Sequence, residues 1–303
     1  MRRGLLLAVA LGLGLGLLAE VEPAHAKRKP ARKVPYDEGA MPAEVVAAAR
    51  ESVNLPLPER MAAISRPLLD LDYGLDKNGE GVAPDEDPPA RYDIFDCVTF
   101  LEEILGLALS ADPLSAPMVR NAFRYEEGVV DYNSRNHIWL QQWIPNNIKA
   151  GLVEDITSQV GQAHLVHKKV TIRTWERWRG TRHFQMGPEG LPTGDFTLPV
   201  LSLDAAQANI RKIPDGAIVV MVRKPRAHRP IIVSHVGFVL PRKGGPTMMR
   251  HATKLGGGRV RDHDLRWYLN HQRWFDQIPV EGISVLMPLE QGPRRSRLLA
   301  DPS

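Results

Sequence analysis

The chain has 303 residues, with 39 Lys and Arg against 35 Asp and Glu, a formal net charge of +4, and 43% hydrophobic residues. That length and composition suit one globular core. The mild charge, with no basic helix interleaved with aromatics, speaks against nucleic-acid binding, and the single cysteine, Cys97, excludes an intramolecular disulfide.

In chain order, Arg2 and Arg3 precede an uncharged apolar run over 4–19, and Ala24-His25-Ala26 supplies a small-x-small cleavage site. This order predicts a secretory signal peptide over 1–26. The run falls short of the roughly 20 residues a spanning helix needs, and an uncleaved anchor is the alternative. Residues 27–40 hold KRKPARK and read as a basic linker. The expected location is the periplasm or cell envelope, with no stable membrane insertion after signal removal. Cysteines normally pair in such compartments. An unpaired Cys97 is therefore either a buried inert thiol or a reactive one.

Residues 41–69 carry a helical pattern (Val45, Val46, Ala49, then Met61, Ile64, Leu68). Residues 70–91 are acidic and rich in turn formers, which predicts a surface loop. Its DKNGEG matches part of a calcium loop but lacks the ligand spacing and closing glutamate. Over 97–109, Val98, Leu101, Leu105 and Ala108 form an apolar stripe widened by Phe100, Ile104 and Leu107, with Asp96 as N-cap. Residues 135–150 and 155–180 read as mostly helical. Trp139, Trp143, Trp175 and Trp178 fall at helical spacings that suit core packing better than sugar stacking. Residues 185–212 read as loop. Strands are expected at 217–223, 231–240, 247–253 and 282–287. The layout is α+β, with an antiparallel sheet and helices gathered on one side. It predicts a single catalytic domain over 41–290, with a helical insertion at about 111–212, and a tail over 291–303.

The candidate chemistry starts at Cys97. As first residue of a capped helix it meets free N–H groups and a partial positive charge, which stabilise a thiolate and lower its pKa. The same groups suit an oxyanion on a substrate carbonyl. The second feature is a pair of histidines. If PRKGGP turns near Lys243, His235 and His251 each lie eight residues from the turn. Opposed residues of a hairpin share a face, with Cβ atoms roughly 5 Å apart. Two imidazoles so placed bond in series, one taking the thiol proton and the other orienting it. A one-residue slip would put them on opposite faces. Zinc on Cys97 and these histidines is an alternative, yet the usual close ligand pairs are missing. No metal or cofactor is expected.

FDCVTFLE, followed by SHVGFV and MMRHAT, resembles the NlpC-type papain-like cysteine peptidases and amidases of bacterial cell walls. DCVTF with Glu102, the SRNH stretch at 134–137 with Trp143 after it, and the long segment between Cys97 and His235 are similar to the N-acetylmuramoyl-L-alanine amidase-like branch. The resemblance spans roughly residues 60–288. It implies a papain-like (NlpC-type) fold, with a helical half carrying the nucleophile at a helix N-terminus packed on an antiparallel sheet. It implies Cys97 as nucleophile, His235 as base and His251 as orienter. The implied substrate is peptidoglycan or a muropeptide, cut between the lactyl group of muramic acid and L-alanine. Turnover fragments ending in 1,6-anhydro-muramic acid are the implied preference. Tyr73 is the implied tyrosine near the thiol. Substrate-binding candidates are Tyr73, Asp96, Ser134, Arg135 and His137, the arginine suiting a carboxylate.

Two other readings stand beside it. One is a stem-peptide endopeptidase such as a D-glutamyl-diamino acid peptidase; the other is a non-enzymatic wall-binding protein with a degenerate site. The expected state is a monomer. Glu102 and Glu103 are expected to be solvated or supporting groups. His263, Trp267, His271 and Trp274 receive no role.

Overall fold

The computed structural model describes residues 41–242, 244–274 and 278–290. The expected signal peptide, basic linker and tail lie outside them. The helical pattern of 41–69 divides into α1 (Ala43–Glu51) and α2 (Leu57–Ser65), because Pro56 cannot continue a helix and sits at the N-cap of the second. The helix expected at 97–109 is α3 (Cys97–Leu109). It is buried from Thr99 to Leu109, so nearly its whole circumference is packed. Its neighbour α4 (Ala116–Arg124) approaches closely at Gly106, where a Cβ would lie 2.9 Å from that of Arg120.

Glu102 and Glu103 are not solvated. Both are buried within α3 and paired with α4, Glu102 to Arg124 at 2.7 Å and Glu103 to Arg120 at 3.1 Å. The Trp143 indole donates to Glu102 at 3.1 Å, and the Tyr92 hydroxyl donates to Glu103.

The strands are β1 (Asp72–Tyr73), β2 (Ile94–Phe95), β3 (Val153–Asp155), β4 (His164–Val170), β5 (Gly194–Ser202), β6 (Ile218–Arg223), β7 (Val233–Val239), β8 (Met248–Thr253), β9 (Arg259–Asp264) and β10 (Val280–Pro288). Among the described residues they form one ten-stranded sheet in the order β2-β1-β9-β8-β7-β6-β10-β5-β4, with β3 also on β10. Only β1 and β2 pair in parallel. The class is α+β with a large, mostly antiparallel sheet.

Helices cover both faces rather than one. On β6, Ile218, Val220 and Val222 join the core under α3, while Val219 and Met221 join a second core with Leu203, Ala206, Leu265 and Leu269. A strand buried on both faces reads as the unbroken apolar run IVVMV. The expected helical insertion also contains β3, β4 and β5. In β4, Val166, Lys168 and Val170 point inward, and the Lys168 ammonium donates to the Arg226 carbonyl at 2.8 Å. A lysine at an inward position hides the two-residue period.

Candidate active site

Asp96 opens α3 with a reciprocal cap. Its Oδ1 accepts from the Val98 and Thr99 amides at 2.9 and 2.8 Å, and its own N–H donates to the Thr99 hydroxyl at 3.1 Å. Its Oδ2 accepts from the Asp76 N–H at 3.3 Å. Both oxygens are thus bonded within the protein, Oδ1 in the helix cap and Oδ2 to the acidic loop.

Cys97 follows, partly exposed and packed against the core under α3. The nearby backbone N–H groups of Val236, Cys97 and Val98 favour the thiolate. They do not prevail. Burial, then the adjacent Asp96 charge, push the thiol up to about 12. The expected lowering by the helix end is real but outweighed, and the resting group is a thiol.

The Val236 contact sets the sulfur against β7 one residue from His235. Opposite β6, Met221 pairs with His235 but Val222 pairs with Val233, so Ser234 is the extra residue of a bulge. Bulges of this kind re-aim the neighbouring side chain. Between β7 and β8 the register pairs Phe238 with Arg250 and Val239 with Met249. His251 therefore faces Gly237, not His235. The offset of two residues preserves the shared face. Gly237 is required there, since a Cβ would lie 2.9 Å from the His251 Cβ.

Across this diagonal, His235 Nε2 and His251 Nδ1 are 2.6 Å apart. The sequence reading missed the next link. His251 Nε2 lies 2.7 Å from Nδ1 of His263 on β9. The signal was present, because RVRDHD after GGG reads as a strand returning along β8, with alternate residues on the His251 face. Tyr268, from the helix Leu265–Gln272, packs against all three rings, and Trp267 stacks on His263 at 5.1 Å between centroids. Burial lowers all three histidines, His235 to about 3, with Arg223 and His263 adding to the effect there. The rings are neutral at rest.

The N-acetylmuramoyl-L-alanine amidase-like (AmiA-like) family matches residues 63–276. The chain belongs to that family. Among solved structures, a Legionella pneumophila protein is 23% identical over 81% of this chain and 93% of its own, with a TM-score of 0.70. An N-acetylmuramoyl-L-alanine amidase from Bacteroides uniformis is 18% identical over 77% of this chain and 98% of its own, with a TM-score of 0.61. A Bacteroides fragilis protein described as a candidate xylanase is 22% identical over 73% and 97%, with a TM-score of 0.57. These likenesses show a shared fold. No curated protein matches the chain significantly.

In this amidase-like chain, Tyr73 packs against the same core as Cys97. Burial raises its pKa, and the charges of Cys97 and Asp96 raise it further. The other candidates are engaged elsewhere. Ser134 donates to the carbonyls of Val129 and Asp131. Arg135 bonds Asp85 at 3.0 Å and the Asn78 carbonyl at 2.7 Å, with Glu80 at 3.6 Å. Its guanidinium places a cation beside the Glu80 and Asp85 carboxylates of the acidic loop. His137 bonds the Tyr132 carbonyl at 2.7 Å and packs on Tyr132 and Phe184, and burial, then Arg135, lower it to about 4. These three residues hold the acidic loop and the 131–137 segment in place. Among the described residues, no group of three or more His, Cys, Asp or Glu is arranged to hold a metal ion. The imidazole nitrogens face one another instead.

Proposed function

We propose that the chain is an exported cysteine amidase. It cleaves the amide between the lactyl group of muramic acid and L-alanine in peptidoglycan or its turnover fragments, those ending in 1,6-anhydro-muramic acid included. One observation carries the reading. In a chain of the amidase-like family, the lone thiol sits at a helix N-terminus beside the strand of His235, whose Nε2 is bonded to His251.

The remaining Nδ1 of His235 takes the thiol proton. Because thiol and imidazole are both neutral at rest, the proton moves as the sulfur attacks the carbonyl carbon. The Cys97 backbone N–H, which the Asp96 cap does not take, holds the oxyanion. Imidazolium then protonates the alanine nitrogen, the C–N bond breaks, and a thioester remains. Water gives a proton to His235 and attacks the thioester, the C–S bond breaks, and His235 returns the proton to the Cys97 sulfur. The products are a lactyl carboxylate and a peptide with a free N-terminal alanine.

The test incubates anhydro-muropeptides with the wild-type protein and with Cys97→Ala. The expected result is stem-peptide release by the first and none by the second. Equal background release by both sinks the proposal. Mass spectrometry separates the endopeptidase reading, since an amidase frees whole stem peptides and an endopeptidase leaves stubs on the sugar. For export, the mature protein recovered from the envelope should begin near Lys27.

A further inference from the structure

We infer that His263 is a positioning residue for this reaction: it closes a chain of imidazoles and fixes the direction in which their protons point. The inference rests on Cys97 and His235 acting as nucleophile and base.

A neutral imidazole carries one N–H and one lone pair. The links here run from His235 Nε2 to His251 Nδ1 and from His251 Nε2 to His263 Nδ1. Each link needs one donor and one acceptor, so the chain has only two polarities. In the first, His263 accepts at Nδ1, His251 accepts at Nδ1, and His235 keeps a lone pair on its own Nδ1. That nitrogen can take the thiol proton. In the second, His263 donates from Nδ1, His251 donates from Nδ1, and the Nδ1 of His235 carries hydrogen. That ring cannot act as a base.

His251 cannot make the choice. It is fully buried and both its nitrogens are bonded within the chain. Of the two ends, both half-buried, His235 faces the thiol, and the choice falls to His263. Trp267 stacks on that ring with planes 26° apart, and His271 stacks on Trp267 in turn. Asp264 fixes Trp267 by accepting its N–H at 2.8 Å. The groups facing His263 are Asp262 and Arg261 on its own strand, His251 on β8, and His271 and Tyr268 on the helix Leu265–Gln272. Burial comes first, and with Arg261 and His271 it outweighs Asp262, so His263 is neutral and free to accept. When His235 gains the thiol proton, the same links spread the charge toward His263.

The experiment compares wild type, His263→Leu and His263→Asn. Asparagine offers a carbonyl acceptor near the lost Nδ1; leucine offers none. One readout is kcat and KM on muropeptides. The other needs no substrate: the rate of Cys97 alkylation by iodoacetamide as a function of pH. In His263→Leu, kcat should fall about 10- to 100-fold with KM unchanged, and the alkylation profile should move to higher pH. His263→Asn should recover most of both. The inference is overturned if His263→Leu leaves both readouts unchanged. It is equally overturned if Leu and Asn lose activity and melting temperature alike, since that marks a structural role. If His263→Leu does not fold, Trp267→Ala removes only the clamp and must shift the alkylation profile the same way; no shift overturns the inference. Absence of wild-type cleavage would sink the amidase reading, while the alkylation profiles would still decide the role of His263.

Discussion

Two buried polar networks flank the site and solve the same problem oppositely. Beneath α3, Glu102 and Glu103 meet Arg124 and Arg120, and the charges cancel in place. Burial works against the Arg124 charge, but Glu102 together with Tyr125 and Glu103 outweighs it, and the guanidinium pKa ends above its ordinary value. Under the helix Leu265–Gln272, His235, His251 and His263 avoid the desolvation cost by staying neutral. The first network pairs opposite charges and serves to anchor α3, and with it Cys97. The second is uncharged until a proton arrives, and so can pass one. The difference teaches that burial alone does not mark a reactive group; what matters is whether the partner has already cancelled the charge.

The largest expected effect comes from unpairing the first network. Glu102→Ala leaves the Arg124 guanidinium buried without its carboxylate and removes the acceptor of the Trp143 indole. Urea unfolding should show a loss of about 3–5 kcal/mol. The double variant Glu102→Leu, Arg124→Met should recover most of it, because the apolar pair leaves no charge behind. A single-variant loss under about 1 kcal/mol would break the comparison. The next effect strikes the second network. In Gly237→Ala the new Cβ falls 2.9 Å from that of His251 and 3.0 Å from the Arg250 carbonyl. The expected cost is about 1–3 kcal/mol. Here alkylation of Cys97 should fall along with stability, whereas folded Glu102→Ala should keep its alkylation rate.

What was legible in the sequence was local. The cap at Asp96 and the apolar stripe place α3 over Cys97–Leu109 without any tertiary knowledge. His235 and His251 were legible as a pair because hairpin symmetry brings them together. Their register was not, because PRKGGP is too long for its turn point to be read. The residues that escaped depend on distant partners. Glu102 reads as solvated until Arg124, on the next helix, is packed against it. Lys168 disguises β4 because its ammonium finds a carbonyl on a different connection. The thiol pKa was misjudged in sign because the helix end is a local feature and burial is not.

The smallest effect per step is also the sharpest, because it touches only the neutral network. An unfolded histidine titrates near 6.5. In the folded protein burial lowers His235 to about 3 and His251 well below its ordinary value. Above pH 6.5 both states are neutral and these rings contribute no pH dependence. As pH falls from 6.5 toward 3, the unfolded chain takes up protons that the folded one refuses, so stability must fall. Each such ring adds a slope of up to about 1.4 kcal/mol per pH unit in that window. Urea unfolding at intervals between pH 4 and 7.5 should show the decline, and His235→Gln should remove one ring's share of the slope. His137, lowered to about 4, should behave likewise on replacement by Gln, over a narrower window. An unchanged slope in His235→Gln would mean that the folded ring already carries a proton. The imidazole chain would then be a second charged network, and the neutral route for the thiol proton would be lost.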